Sequence, residues 1–393
     1  MDKVKFGILG YGQRAPGLIS RIMSLGDRAT VVGVCDLFAD RVDYAKSRLQ
    51  EKYGISVFGT TDPYELIDND EVNAVIIASA WESHIPLSIY AMKKGKAVGA
   101  DVAGAYSVQQ CWDLVNTYEQ TKTPIMLLEN CCYGRREMML LNMAQSGFFG
   151  DIAHVEGSYE HDLRDEISNG IKIRHYRLRN YRSRNCENYP THELGPLAKI
   201  LGINHGNRFV SLSSFSSKAV GLEQYIKDEG RDDVSDIRFN QGDIVTTIIK
   251  CAGGQTIDLK LITSLPTYGS FNLNIYGAKA SYKFDSDSFC TMAPGGNHPR
   301  WQEVQGNAEE YEQQWLHPVW KQYLKDGIQG GHSGMDYLCI RDFVDCLVEN
   351  KPMPIDVYDM ASWMAVTALS EQSIANGGAP VAFPDFTNGN WIL

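Results

Sequence analysis

The first third of the chain alternates short, almost entirely apolar runs with amphipathic stretches. The apolar runs predict strands that are buried on both faces, at residues 4–9, 30–35, 74–79, 97–100 and 125–128. The stretches between them predict helices, at residues 15–25, 38–49, 86–94 and 108–119. Because helical crossovers of this kind join parallel strands, the alternation predicts a doubly wound α/β domain over residues 1–128.

The pattern changes after residue 130. A helix is predicted over residues 135–146, and strands then follow one another at 152–163, 209–216, 243–250, 256–263, 271–276 and 280–284. Strands without helices between them indicate a mostly antiparallel sheet. Late helices are predicted at 309–324, 335–349 and 357–375. We therefore expect an α+β domain over residues 129–393 with an open, mostly antiparallel sheet, whose late helices can pack back on the first domain.

Charge and composition narrow the function classes. The 48 acidic residues outnumber the 37 basic ones, and the net charge of −11 argues against nucleic acid or an anionic membrane surface as a partner. No apolar run approaches the roughly 20 residues of a membrane span. The nine cysteines are scattered, and no histidine spacing demands a metal, so we predict no metal site. With no signal segment in view, we expect a cytoplasmic protein, or a secreted or periplasmic one if a leader has been removed.

A nucleotide-binding motif follows the first predicted strand, at Gly10-Tyr11-Gly12-Gln13-Arg14-Ala15. Its glycines let backbone N–H groups approach a pyrophosphate at the start of a helix. Asp36 ends the second predicted strand, where a carboxylate can accept the ribose hydroxyls of NAD and repel the 2′-phosphate of NADP, although Arg41 nearby can accommodate such a phosphate. The context predicts a Rossmann domain that binds NAD. The alternative is a glycine turn with a helix-capping aspartate.

Two tyrosine–histidine pairs are candidates for proton transfer. Tyr159 and His161 are two residues apart on a predicted strand and point to the same face, as a pocket floor or as a buried hydrogen-bonded pair. Pro190 follows Tyr189 and predicts a helix start with His192 in the first turn. A helix N-terminus disfavours imidazolium and favours tyrosinate, which suits a proton-abstracting pair. A helix cap with a surface histidine is the alternative.

Several motifs occur in one order along the chain: ENCCYGR at 129–135, LNM at 141–143, GSYEHDLR at 157–164, NYPTH at 188–192, LGP at 194–196, GMD at 334–336, DVYD at 356–359 and FPDF at 383–386. Together they resemble glycoside hydrolase family 109, the NAD-dependent α-N-acetylgalactosaminidases. This family lies within the glucose-fructose oxidoreductase/inositol dehydrogenase/MocA superfamily, which the two-domain order also resembles. Ordinary dehydrogenases of the superfamily carry Glu-Lys-Pro after the fifth strand, whereas this chain has Asp101-Val102-Ala103 and lacks the lysine.

The resemblance implies site residues position by position. With the motif glycines, the expected cofactor contacts are Gly10, Gly12, Gln13, Arg14, Asp36, Trp81, Glu82, His84, Asp101, Val102, Asn130 and Tyr189. The expected substrate contacts are Tyr159, Arg177, Tyr189, Thr191, His192 and Tyr268. The expected catalytic residues are Tyr159, His161, Tyr189 and His192.

The chain also departs from the family pattern. Family members usually have Glu-Val-Pro at 101–103, Trp-Arg at 176–177, where this chain has Tyr-Arg, and Thr-His-Gly-Leu-Gly at 191–195, where Glu193 follows His192. The loop at 184–187 differs as well. These departures bear on the preferred sugar and linkage rather than on the cofactor or the chemistry.

The resemblance implies a redox-neutral glycoside hydrolysis. Hydride leaves C3 of the sugar for NAD, a base removes the acidified C2 proton, the leaving group departs from C1, water adds, and the hydride returns. Tyr159 or His161 would move a proton at C2 or the departing oxygen, and Tyr189 and His192 would serve the O3 and C2 side. The expected partners are a carbohydrate and further copies of the chain, as a dimer or tetramer. An NAD-dependent sugar or cyclitol dehydrogenase and a non-catalytic NAD-binding sensor are the alternatives.

Overall fold

A computed structural model describes residues 3–291, 299–327 and 334–392 of the chain. The chain divides into two compact units. The first comprises Met1–Gly134 and Gly327–Ala361, and the second comprises Arg135–Asp326 and Ser362–Leu393. In the described part of the chain, no helix combines the length and the apolar character that a bilayer span requires.

The first unit is built on six strands, β1 Val4–Leu9, β2 Ala29–Cys35, β3 Phe58–Thr60, β4 Ala74–Ile77, β5 Ala97–Ala100 and β6 Ile125–Leu127. They form a parallel sheet in the order β3-β2-β1-β4-β5-β6, which confirms the predicted doubly wound fold. The helices between them are α1 Ala15–Ser24, α2 Ala39–Tyr53, α3 Pro63–Asp68, α4 Trp81–Lys93 and α5 Val108–Thr121. Strand β3 was not predicted because its three residues contain no apolar run.

The second unit contains the strands β7 Ile152–Glu160, β8 Phe209–Ser216, β9 Ile244–Cys251, β10 Thr256–Ile262, β11 Asn274–Gly277, β12 Ala280–Lys283, β13 Ser288–Thr291 and β14 Val381–Ala382. They form one sheet in the order β13-β12-β11-β7-β10-β9-β8-β14, in which β7 and β10 pair in parallel and the other pairs are antiparallel. The predicted mostly antiparallel sheet is therefore confirmed.

The remaining helices are α6 Arg135–Gln145, α7 Arg164–Ser168, α8 Arg177–Ser183, α9 Thr191–Ile200, α10 Gly221–Asp228, α11 Trp301–Val304, α12 Ala308–Trp315, α13 Pro318–Asp326, α14 Met335–Glu349 and α15 Val357–Ala375. In the second unit α9 packs on β7 and on α6, and in the first unit α14 packs on α1. The single helix predicted at 309–324 is wrong: Pro318 begins a new helix, because proline has no N–H for a helix interior. The strand predicted from residue 271 begins at Asn274, after Asn272 with a φ of +39°.

Candidate functional site

The predicted nucleotide loop lies at the end of β1, where the sheet order reverses between β1 and β4. Gly10 has a φ of +96°, and a Cβ at this position would lie 2.6 Å from the carbonyl oxygen of Ala78. A Cβ at Gly12 would meet nothing within 4 Å. The loop is therefore closed at its first glycine, against the segment that follows β4, and open at its second, which leaves room for a ligand beside the start of α1.

Asp36 is held in place by the main chain. Its buried carboxylate accepts the N–H of Tyr11 at 2.8 Å and the N–H of Phe38 at 3.1 Å. The guanidinium of Arg41 lies 3.6 Å from the same carboxylate and stacks over the ring of Phe38. Each carboxylate oxygen keeps a lone pair that can accept a ribose hydroxyl. Because Arg41 is paired with Asp36, it is less available to bind the 2′-phosphate of NADP.

Arg14 is clamped by two carboxylates of the first unit. Its guanidinium donates two hydrogen bonds to Asp336, at 2.9 and 2.8 Å, and its Nε lies 3.4 Å from Asp101. Asp336 stands at the start of α14 and was not predicted as a site residue. The only sequence signal for Asp336 was the GMD motif at 334–336, because Arg14 and Asp336 are far apart along the chain.

Two buried acceptors, on Asp101 and Asn130, fit a polar ligand. The Oδ1 atoms of Asp101 and Asn130 are buried and have no hydrogen-bond partner among the described residues. Asp101 follows β5 and Asn130 follows β6, at the carboxyl ends of parallel strands, where such sheets bind their ligands. Unsatisfied buried acceptors are costly unless a ligand or water satisfies them. With the open glycine loop and Asp36, they form a donor and acceptor set that fits a dinucleotide.

The other predicted cofactor residues surround these groups. Helix α4 begins at Trp81 rather than at the predicted residue 86, so Trp81, Glu82 and His84 lie in its first turn. The buried ring of His84 contacts the carbonyl oxygens of Asp101 at 2.9 Å and Ser79 at 3.0 Å, and burial lowers its pKa. This ring therefore links the segments that follow β4 and β5. Among the remaining predicted contacts, Val102 is buried and Gln13 is exposed.

The second unit brings the four predicted catalytic side chains into one cluster. The ring of Tyr159 lies 4.9 Å from Tyr189, 5.5 Å from His192 and 5.8 Å from His161, measured between centroids. The rings of Tyr189 and His192 are 4.9 Å apart. Helix α9 begins at Thr191, so the predicted helix start before His192 is confirmed. Phe271 also packs on Tyr159 and His192 and was not predicted.

Arg177 supplies the positive charge of this cluster. Its buried guanidinium lies 4.9 Å from the ring of Tyr189, and its Nε is 2.9 Å from Glu166, a residue that no sequence signal indicated. Burial opposes its charge, but the fields of Tyr176, Tyr159, Tyr189 and Glu166 raise the pKa of Arg177. The arginine in turn favours an ionised tyrosine beside it.

His161 is biased towards its neutral form. Burial and then the charge of Arg177 lower its pKa, although Glu166 and Asp162 act in the opposite direction. A neutral imidazole has one acceptor nitrogen, and the hydroxyl of Tyr159 lies 2.9 Å from Nδ1 of His161. The pair can thus pass a proton from the tyrosine to the histidine.

Two predicted substrate contacts occupy different environments. Thr191 is fully buried, and its Oγ1 has no hydrogen-bond partner among the described residues. Tyr268 is 93% exposed on the loop after β10. Its side chain therefore is not packed with the Tyr–His cluster.

Comparisons with known proteins match both units. Residues 133–393 match the model of the glycosyl hydrolase 109 C-terminal domain, and residues 4–128 match that of the oxidoreductase family with an NAD-binding Rossmann fold. The chain is 36% identical to a glycosyl hydrolase family 109 protein of Parabacteroides distasonis, over 99% of this chain and 88% of the relative. It is also 36% identical to an alpha-N-acetylgalactosaminidase of Tannerella forsythia, over 99% of this chain and 87% of the relative.

The similar solved structures indicate the fold. An oxidoreductase domain protein from Kribbella flavida aligns over 98% of this chain and 100% of its own with a TM-score of 0.73 and 16% identity. A levoglucosan dehydrogenase in complex with NADH and levoglucosan aligns over 98% of this chain and 100% of its own with a TM-score of 0.72 and 13% identity. At such identities, the likeness carries the two-unit architecture alone.

Proposed function

The chain belongs to glycosyl hydrolase family 109, and from this premise we propose that it hydrolyses α-N-acetylgalactosaminides or closely related glycosides with a retained NAD. The observation that carries the proposal is the cluster of Tyr159, His161, Tyr189 and His192 beside the buried charge of Arg177. The name of the relative from Tannerella forsythia supports the choice of sugar.

The first unit offers the groups that would hold NAD. The loop of Gly10 and Gly12 would receive the pyrophosphate, Asp36 the adenosine ribose, and the unsatisfied oxygens of Asp101 and Asn130 further polar groups. When bound, NAD would supply a hydride acceptor for C3 of the sugar and later a hydride donor. Because the redox change cancels over one turnover, the net reaction is hydrolysis.

The second unit supplies the proton chemistry. Tyr159 would remove the proton from C2 of the sugar, since Arg177 stabilises a tyrosinate and neutral His161 can hold the hydroxyl proton. Tyr189 and His192, whose rings are 4.9 Å apart at the N-terminus of α9, would take the proton of the O3 hydroxyl. The chain has no lysine at residues 99–103, where ordinary dehydrogenases of the superfamily carry theirs, and this supports hydrolysis over net oxidation.

The test is hydrolysis of aryl α- and β-glycosides of hexoses and N-acetylhexosamines in D2O without added NAD, followed by proton NMR. We expect release of the sugar with deuterium at C2, loss of release in Tyr159→Phe, and unchanged release in Tyr64→Phe, whose side chain is exposed. Stoichiometric NADH from free sugars, and only with added NAD, would instead identify a dehydrogenase. Bound NAD without turnover of any glycoside or sugar would indicate a sensor.

A further inference from the structure

Glu166 is an acidic side chain of α7 that faces the buried positive charge of Arg177. Its Oε1 lies 2.9 Å from Nε of Arg177, and α7 packs against α8, which begins at Arg177. Arg177 is buried, and Oε1 of Glu166 is itself closed to solvent. A buried positive charge is stable only beside a group that compensates for it, and this ion pair supplies such a group.

The other acidic residues at the start of α7 have different partners. Asp162 pairs with Arg164 at 2.6 Å, and Asp165 accepts a hydrogen bond from Nδ2 of Asn169 at 2.8 Å. Asp165 is exposed, whereas Glu166, one position further along the helix, is directed to the guanidinium. The ion pair therefore depends on the position of Glu166 around the helix axis and not on the general acidity of the segment.

His175 connects Glu166 to the main chain of Arg177. Nδ1 of His175 accepts the backbone N–H of Arg177 at 3.3 Å, and Nε2 lies 3.8 Å from Oε1 of Glu166. A ring nitrogen that accepts carries no proton, so the proton of the neutral ring is on Nε2, on the side of the carboxylate. The ring of Tyr176 stacks on His175 at 4.4 Å between centroids. Glu166 thus faces the guanidinium directly and, through His175, the backbone of the same residue.

The guanidinium in this position faces the tyrosine–histidine cluster. It lies 4.9 Å from the centre of the Tyr189 ring, which in turn lies 4.9 Å from the centre of the Tyr159 ring. The two charges act on His161 in opposite directions: burial and then Arg177 lower the pKa of His161, whereas Glu166 raises it. The carboxylate therefore offsets part of the effect that the guanidinium has on the cluster. The other titratable groups that face His161 are Asp162, His192 and Tyr159.

We propose that Glu166 is a positioning residue that, together with His175, holds the guanidinium of Arg177 over the ring of Tyr189. Without the carboxylate, the guanidinium would keep its charge but lose a counter-charge and a contact that fixes its orientation. The consequence for turnover rests on the proposed function, whereas the hold on Arg177 does not. Glu166 acts through Arg177 and is not a catalytic residue.

The first test needs no substrate and follows two NMR signals in Glu166→Gln, which removes the charge and keeps the shape of the side chain. The Nε–H signal of Arg177 should move and broaden, because the guanidinium loses its neighbour. The pKa of His161 should fall, in the direction opposite to the change expected for Arg177→Gln, because a group that raises this pKa has been removed. Asp165→Asn, at an exposed position of the same helix, is the matched control and should leave both signals unchanged.

The signal of Arg177 decides the outcome. If its Nε–H signal is the same in Glu166→Gln and in the wild type, the proposal is overturned, even where the variant is less stable, because a purely structural role would lower stability alone. If Glu166→Gln does not fold, Glu166→Asp keeps the charge and shortens the side chain by one methylene group. The Nε–H signal should then still move, and a wild-type signal in Glu166→Asp would likewise overturn the proposal.

Turnover then tests the consequence for the reaction. We expect kcat of Glu166→Gln to be about tenfold lower at neutral pH, because the guanidinium is displaced from the cluster. The acidic limb of its pH profile should lie at lower pH than in the wild type, because a histidine with a lower pKa stays unprotonated in more acidic solution. An acidic limb at the wild-type pH would overturn the influence of Glu166 on the reaction. Absence of glycosidase activity in the wild type would overturn the proposed function and leave the NMR result intact.

Discussion

The two units hold their candidate site residues in different ways. In the first unit, main-chain groups and strand ends position the polar atoms: Asp36 is held by two backbone N–H groups, and Asp101 and Asn130 follow consecutive strands. In the second unit, side chains from β7, α8 and α9 position one another through ring contacts and the charge of Arg177. Where the backbone holds the site residues, substitutions of neighbouring side chains should have little effect on the site. Where the site side chains hold one another by packing, each of them is needed to keep the others in place.

Replacement of His192 tests this dependence with the largest expected effect. His192→Asn should lower kcat by roughly 10²–10⁴-fold, as loss of a general acid or base does, and leave the amount of bound NAD unchanged. The measurement is turnover of an aryl glycoside together with the NAD extracted from the purified protein. His205→Asn, at an exposed position, is the matched control and should behave as the wild type. Retained turnover in His192→Asn would remove this residue from the chemistry.

Alanine substitutions at the two glycines of the nucleotide loop should distinguish an effect on folding from an effect on cofactor binding. Gly10→Ala should destabilise the protein by about 1–3 kcal/mol or more, because its φ is positive and its Cβ would collide with the backbone of the segment that follows β4. Gly12→Ala should leave the free energy of unfolding of the NAD-free protein unchanged, because its Cβ meets open space, and should weaken NAD binding about tenfold. Thermal unfolding and NAD titration measure the two effects. Equal NAD affinity in Gly12→Ala and the wild type would place the pyrophosphate elsewhere.

Removal of the charge at Arg177 should change a pKa in the second unit. Because Arg177 contributes to the lowered pKa of His161, Arg177→Gln should raise this pKa and shift protonation of the ring to higher pH. NMR titration of the His161 ring measures the shift without need of activity. Arg182→Gln, an exposed position on the same helix, should leave the titration unchanged. A fall in the pKa of His161 in Arg177→Gln would contradict the inference that Arg177 lowers this pKa.

Tyr268 should give the smallest effect. Because its side chain is 93% exposed, Tyr268→Phe should change kcat/KM by less than about threefold, which is the range of ordinary surface substitutions. Kinetics on the same aryl glycoside provide the measurement. A larger loss would show that the loop folds onto the bound sugar.

The sequence alone predicted much of the architecture. The alternation of apolar runs predicted the parallel sheet, and the run of strands predicted the mostly antiparallel sheet, because strand burial leaves a direct pattern of residue types. The resemblance to family 109 is confirmed by the family model and by full-length relatives. The nucleotide loop was recognised from local residues, because a tight turn before a helix needs glycine at fixed positions.

Only the tertiary structure assembled the charged partners. Neither the pair of Glu166 and Arg177 nor the pair of Asp336 and Arg14 left a spacing signal in the sequence. Their pairing depends on burial, which raises the cost of an isolated charge and makes a partner of opposite charge necessary. The sequence thus determined the types of side chain and the local turns, and packing determined which of them meet, because contacts between distant segments and the loss of solvent arise only in the folded chain.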